Sequence, residues 1–309
     1  MIADVETNAL AGKAVVITGS GSGLGSAYAR HAAALGAAVV VNDIDAKAAE
    51  ATVAAISSAG GKAIACPGDV SSWTFADTLM EACLDTFGML TGLVNNAGIL
   101  RPASMEDMTE IDLRRMFEIN VLGTAACAQA AARRLRAAGK GGSIVNVASG
   151  SHAGDIGLGG YGATKGAVAS LTYGWAMELR GSGVRMNAVS PLADTAMAAQ
   201  NAPLLALQSA GRDVKYTALP AAAVNAPVIS FLLSDHSGGI HGQIVRIADR
   251  QLSFVTHPMI AAPVLEGDWS FAAVVRAFEQ TLSQAQRKLG LTFEAPLDAP
   301  TTASNRNRV

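Results

Sequence analysis

Apolar residues follow two alternating rhythms along most of the chain. Short continuous runs rich in Val, Ile and Ala occupy residues 14–17, 38–41, 62–66, 90–95, 143–147, 184–189 and 243–247. Runs this short, apolar on both faces and bounded by turn residues, predict strands buried in a sheet. Longer segments with apolar steps of three and four lie between them, at residues 24–35, 45–59, 75–87, 111–138, 161–179 and 221–234. These predict helices. Gly36 and the pair Gly60-Gly61 stand where two of the helices stop. Strand and helix alternate without an interrupting linker, which predicts a parallel sheet with right-handed crossovers. The expectation is an α/β fold in one domain over residues 1–250, a doubly wound parallel sheet of about seven strands.

The rhythm changes beyond residue 250. Trp269, Phe271, Val275, Phe278, Leu282, Ala285 and Leu289 recur at steps of three or four, predicting one amphipathic helix over residues 268–289. It is expected to pack on the domain or on a neighbouring subunit. Residues after about 291 are rich in Pro, Thr, Ala and Asn and are expected to form a disordered tail. Residues 251–309 therefore read as a C-terminal extension.

Composition narrows the classes. The formal net charge is −2, so no basic field for nucleic acid exists. No apolar run approaches the roughly 20 residues of a membrane span. Residues 1–10 carry Asp4 and Glu6 and lack the cationic start of a signal peptide. Cys66, Cys83 and Cys127 form no paired spacing, as expected of reduced thiols. A soluble, cytoplasmic protein with a small-molecule substrate is expected.

Two segments carry candidate chemistry. Thr18-Gly19-Ser20-Gly21-Ser22-Gly23-Leu24-Gly25 lies between the first strand and the first helix. Glycines there let backbone approach a pyrophosphate, and a helix N-terminus adds amides and partial positive charge. Asp43 closes the second strand, where a carboxylate can accept from adenosine ribose hydroxyls and repel a 2′-phosphate. No basic residue occurs in the glycine loop or just after that strand, which favours NAD over NADP. Asp45 fits the cap of the next helix better than Asp43 does. Tyr161 and Lys165 stand at i and i+4 on one helical face. A neighbouring ammonium favours a phenolate over a phenol.

In this order these segments resemble the short-chain dehydrogenase/reductase family. The loop through Gly19, Ser22, Gly23, Leu24 and Gly25 matches its TGxxxGxG. Asp69-Val70 resembles its adenine-contacting pair, and Asn95-Asn96-Ala97-Gly98 its NNAG segment. Asn120 occupies the place of a helix Asn that holds a water, and residues 144–149 look like the strand leading to a catalytic Ser. Ser190-Pro191 and Thr195 are similar to the segment holding the nicotinamide. The resemblance runs from about residue 10 to residue 247. It implies a Rossmann fold, an NAD cofactor and a homotetramer or homodimer. It also implies Tyr161 as acid–base, Lys165 as ribose ligand lowering the Tyr161 pKa, and Ser149 as substrate-oxygen donor. Asn120 is implied as the end of a water relay.

Four places depart from the pattern. The Ser149–Tyr161 gap is one residue short, and Ser151 is the alternative to Ser149. His152 nearby is expected to be a pocket or surface residue. Leu192 follows Pro191 where the family has Gly, and Ile247-Ala248-Asp249-Arg250 replaces a Gly-rich end. The long extension resembles relatives of multifunctional-type hydroxyacyl-CoA dehydrogenases. A substrate lid is expected over residues 192–219, apolar through Met197, Leu204, Leu205, Leu207, Val214 and Tyr216. It suits a bulky apolar alcohol, a hydroxysteroid or 3-hydroxyacyl chain, ahead of a small polar polyol. Arg212 and Lys215 are expected to be solvated rather than to hold a CoA phosphate. The competing class is an NAD sensor or scaffold without turnover, for which Leu192 is the suggestive feature.

Overall fold

The computed structural model describes residues 8–200, 219–287 and 289–293. The core is one eight-stranded sheet in the order β3-β2-β1-β4-β5-β6-β7-β8. Its strands are β1 (Ala14–Ile17), β2 (Ala38–Val41), β3 (Lys62–Ala65), β4 (Gly92–Asn95), β5 (Gly142–Val147), β6 (Val184–Pro191), β7 (Ile244–Ala248) and β8 (Gln251–Val255). The first seven run parallel. The order reverses between β1 and β4, the crevice where doubly wound sheets bind ligands.

Helices cover both faces, as strands apolar on both sides require. They are α1 (Gly23–Ala34), α2 (Ala46–Ser58), α3 (Phe75–Phe87), α4 (Glu110–Phe117), α5 (Thr124–Ala138), α6 (Gly159–Glu178), α7 (Ala196–Ala199), α8 (Ala226–Leu233) and α9 (Phe271–Gln280). Alternate strand residues sort onto the two faces. Ile17, Val41, Val147 and Val189 pack with Tyr28 and Ala29 of α1 and Ile229 of α8. Val16, Val40, Leu93 and Ile144 pack with Leu79 of α3 and Ala131 of α5. Ala148, Ala188 and Ile244 pack with Ala169 and Tyr173 of α6. Cys83 and Cys127 are buried, and burial pushes both thiols up to about 12.

Three sequence expectations are corrected. The sheet has eight strands rather than about seven. Asp249, at φ 52°, reverses the chain, and Gln251–Val255 returns antiparallel along β7. Leu252 and Phe254 of this edge strand are exposed, so its ladder bonds rather than burial hold it. The segment read as one helix over residues 111–138 is interrupted by a π-helical turn, Glu118–Gly123, between α4 and α5. Hydrophobic period alone cannot detect such a turn. The amphipathic helix after residue 268 is shorter: α9 ends at Gln280 and a 3-10 turn, Leu282–Ala285, follows. None of its residues is buried. Most of the expected lid, including Arg212 and Lys215, and most of the expected tail lie outside the described residues.

Candidate active site

The carboxyl ends of the parallel strands open into a cavity of about 560 Å³. Its first wall is the glycine loop. Gly19 has φ 58°, and a Cβ there would stand 2.7 Å from Ala97 Cα. A Cβ on Gly25 would stand 2.2 Å from Gly19 O and 2.6 Å from Asn96 Nδ2. Gly23, at φ 53°, faces open space up to Thr195 Cγ2 at 3.7 Å. Asn96 Nδ2 donates to Thr18 O (3.0 Å) and Gly19 O (2.8 Å), pinning the loop to the end of β4. Ser22 caps α1 without a side-chain hydrogen bond, and no acid occupies the first turn. The α1 amides and partial positive charge therefore face the cavity with no carboxylate in the helix's own first turn, a cradle suited to phosphate.

Asp43 lies at the end of β2. Its Oδ2 accepts from Gly21 N (2.9 Å) and its Oδ1 from Asp45 N (3.1 Å). Asp45, as expected, caps α2 through Lys47 N and Ala48 N. Asp69 faces the same end. Burial raises its pKa, but hydrogen bonds from Ser71 and Arg115 outweigh that and hold the carboxyl below the usual range. Val70 is buried behind it. Ala97, Gly98, Pro191 and Thr195 line the cavity between this end and α6. Thr195 also caps α7, accepting from Ala198 N at 3.1 Å. These acceptors and the glycine cradle fit a nicotinamide dinucleotide.

The second wall is α6 with the loop after β5. Tyr161 and Lys165 both line the cavity, and Lys165 Nζ is 5.7 Å from the Tyr161 ring centre. Lys165 is buried and donates to Val147 O at 2.7 Å. Burial pushes its ammonium down to about 8. Burial pushes the Tyr161 phenol up to about 12, and a hydrogen bond with Ser149 works the other way. The expected depression of Tyr161 by Lys165 is thus absent from this arrangement. Desolvation outweighs it, and Ser149 is the group that opposes it.

Ser149 is the serine facing Tyr161. Ser151 is spent elsewhere: its Oγ donates to Asp155 Oδ2 at 2.7 Å, while Ser149 Oγ lies 3.2 Å from Ser151 Oγ. A chain Tyr161–Ser149–Ser151–Asp155 results. His152 Nδ1 is bonded to Ser149 O, and the residue is not part of the cavity wall. Asn120 is fully buried behind the wall, inside the π turn. Its Nδ2 donates to Ile99 O (2.9 Å) and Thr164 Oγ1 (3.0 Å), and its Oδ1 accepts from Ile99 N (2.8 Å). Both amide hydrogens are engaged, so its side chain clamps the segment after β4 to α6.

Leu192 requires no glycine-like backbone. Among the described residues only Asn8 and Asp249 are non-glycine residues at positive φ. Its N donates to Ile247 O and its carbonyl accepts from Asn225 Nδ2. Cavity residues that escaped the sequence reading include Asp155, Leu158, Leu291 and Arg246. Arg246 had a visible signal, one charge inside the apolar run Ile-Val-Arg-Ile-Ala. Leu291 had none.

Residues 13–203 match the family model described as short chain dehydrogenase. An uncharacterised oxidoreductase of Methylorubrum extorquens is 39% identical over 249 residues, 76% of this chain and 96% of that protein. The cis-4-hydroxycyclohexanecarboxylate dehydrogenase of Sinomonas cyclohexanicum is 37% identical over 77% of this chain and 96% of that protein. The crystal structure of a short chain dehydrogenase from Mycobacterium avium superposes with a TM-score of 0.79. It shares 28% identity and covers 93% of this chain and 100% of that one.

Proposed function

Because the chain belongs to the short-chain dehydrogenase/reductase family, we propose that it is an NAD-dependent enzyme interconverting a bulky, largely apolar secondary alcohol and its ketone. One observation carries this reading: Asp43 with the glycine cradle, and Tyr161 with Ser149 and Lys165, line the same cavity. A cofactor seated in the cradle supplies hydride exchange. Gly19, Gly23 and Gly25 with the α1 amides take the pyrophosphate, and Asp43 takes the adenosine ribose hydroxyls. Asp69, Val70, Asn96, Ala97 and Gly98 wall the adenosine side, and Pro191 and Thr195 the nicotinamide side.

In the reductive direction Tyr161 gives its phenolic proton to the carbonyl oxygen, and in the oxidative direction its phenolate takes the proton of the alcohol. Ser149 hydrogen-bonds the substrate oxygen and stabilises charge developing there. Lys165 holds the nicotinamide ribose and keeps a positive charge beside the phenolate. Asn120 positions this group by tying Ile99 to Thr164 on α6. Leu158, Leu192 and Leu291 suit an apolar substrate body. A sensor without turnover has no need of Tyr161 as proton donor beside the cofactor site.

Exposed Phe117 beside the π turn and Leu122 within it support a homo-oligomer paired through this region. None of the described helices is long and apolar enough to cross a membrane, and a cytoplasmic location is part of the proposal.

The test is a titration with NAD and with NADP. Reduced-cofactor absorbance is then followed across hydroxysteroids, 3-hydroxyacyl-CoAs and cyclic alcohols. Tighter NAD binding with turnover of one class is the expected result. NAD binding without turnover of any alcohol, or of the matching ketones with NADH, favours the sensor.

A further inference from the structure

Resting on the oxidoreductase reading above, we infer that the substrate carries a carboxylate, received by Arg246 at the far end of the cavity from the glycine loop. Arg246 is in β7, and its solvent exposure is only 7%. It nevertheless lines the cavity. It makes no hydrogen bond or ion pair with any described residue. A guanidinium is always charged, and on a residue this buried, with no acceptor from a described residue, it is left to water in the cavity or to an anion brought by a ligand.

Other arginines receive acceptors or carboxylates from the chain, Arg185 only in part, since its buried Nε has no partner. Arg185, one strand away in β6, donates through Nη2 to Ser234 O at 2.9 Å and Ser237 Oγ at 3.2 Å. Arg115 pairs with Asp69, and Arg134 with Asp77 and Glu81. Arg246 is left facing the cavity.

Register places this group relative to the reacting centre. Ser190 of β6 pairs with Arg246. Side chains alternate across a strand, so Arg246 shares the face of Ile244, two residues earlier. Ile244 packs with Ala148, Ala188 and Ala169 of α6. Arg246 is therefore on the α6 side of the sheet, the side of Tyr161 and Lys165. From β1, which leads into the glycine loop, four strand spacings separate it, about 19 Å. A pyrophosphate in the glycine cradle cannot serve as its counter-ion. From β5, which leads into Ser149, two spacings separate it, about 10 Å. The missing anion thus belongs to the substrate, in a frame short enough to keep carbinol and carboxylate within that span.

Among the described residues, the cavity's carboxylates do not supply the charge. Asp43 and Asp69 are at the β2–β3 end, and Asp155 is turned to Ser151. The register neighbours of Arg246 are Ser190 of β6 and Ser253 of β8, and Leu192 and Leu291 line the same cavity. A planar guanidinium fork in such a setting matches a carboxylate in bidentate fashion. The substrate class is a hydroxy acid whose carbinol and carboxylate lie within that span on an otherwise apolar frame.

The decisive experiment reads binding first. Thermal shifts of the NADH-bound protein are measured with keto acids and with their methyl esters on cyclohexane, benzylic and short-chain frames. For at least one frame the acid is expected to bind roughly tenfold or more tightly than its ester. Arg246→Met is expected to remove this preference, and Arg246→Lys to retain part of it. Without ligand, Arg246→Met is expected to match or exceed the wild-type Tm, because an uncompensated buried charge has been removed. In turnover, the loss is expected in KM for the acid, with kcat for the ester little changed. Equal binding of acid and ester on every frame overturns the inference, whether or not alcohols turn over. So does an acid preference that survives Arg246→Met, or an Arg246→Met protein of lower Tm, which means that the fold itself compensates the charge. Ester turnover without acid preference leaves the oxidoreductase reading intact and removes only Arg246. An acid preference in binding without any turnover does the reverse.

Discussion

The two ends of the cavity are built differently. At the β1 end the shape is made by backbone: Gly19 and Gly25 stand so close to Ala97 and Asn96 that no Cβ fits between them. The polar groups there are tied to one another, as Asn96 is to Thr18 and Gly19. At the β7 end the shape is made by side chains, Leu192, Arg246 and Leu291, the last brought in by the C-terminal segment. Leu291 is seated over Gly150, and Gly290 N donates to Ala153 O at 3.1 Å. A shape made by backbone tolerates little change and serves one ligand. A shape made by side chains can be altered residue by residue without disturbing the sheet.

Three substitutions probe this contrast, from the most to the least disruptive. Gly25→Ala drives a Cβ into Gly19 O, a collision that no side-chain rotation relieves. About 2–3 kcal/mol of stability should be lost, a Tm fall of roughly 5–10 °C, together with cofactor affinity. An unchanged melting curve would mean that the loop is more yielding than this packing implies. Asp43→Ala removes hydrogen bonds to a charged group and the repulsion of a 2′-phosphate. The preference for NAD over NADP should fall by roughly tenfold or more in kcat/KM. A preserved preference removes Asp43 from the ribose site. Leu291→Ala acts only at the β7 end, with substrate KM rising roughly fivefold and NAD affinity unchanged. A parallel loss of NAD affinity would erase the distinction between the two ends.

The same contrast explains what the sequence made legible. Loop glycines at positive φ, an acid closing β2 and a Tyr–Lys pair one helical turn apart are local requirements, so they are written as local motifs. The strand order follows from alternation and the handedness of crossovers. What stayed hidden depends on contacts between distant segments. Asn120 was visible as a residue, but its clamp on Ile99 arises from the π turn, which leaves the apolar spacing of α4 and α5 almost unchanged. β8 is a short run in which Leu252 and Phe254 are exposed and only Val255 is buried, so no pattern separates it from a loop. The apolar stripe after residue 268 suggested a long packed helix, yet Phe271 and Phe278 of α9 are exposed. Arg246 was noticeable as a lone charge in an apolar strand. That it faces the cavity, bonded to none of the described residues, follows only from the folded structure.

The central claim is that Tyr161 exchanges the substrate proton beside an independently formed cofactor site, and Tyr161→Phe tests it most directly. NAD affinity by titration and alcohol turnover should be measured on the same sample. The expected result is an NAD affinity within about twofold of wild type, with turnover lower by roughly 10²–10⁴-fold. Turnover that survives the loss of the hydroxyl contradicts Tyr161 as the acid–base group. NAD affinity that collapses with it contradicts the separation of the two ends of the cavity.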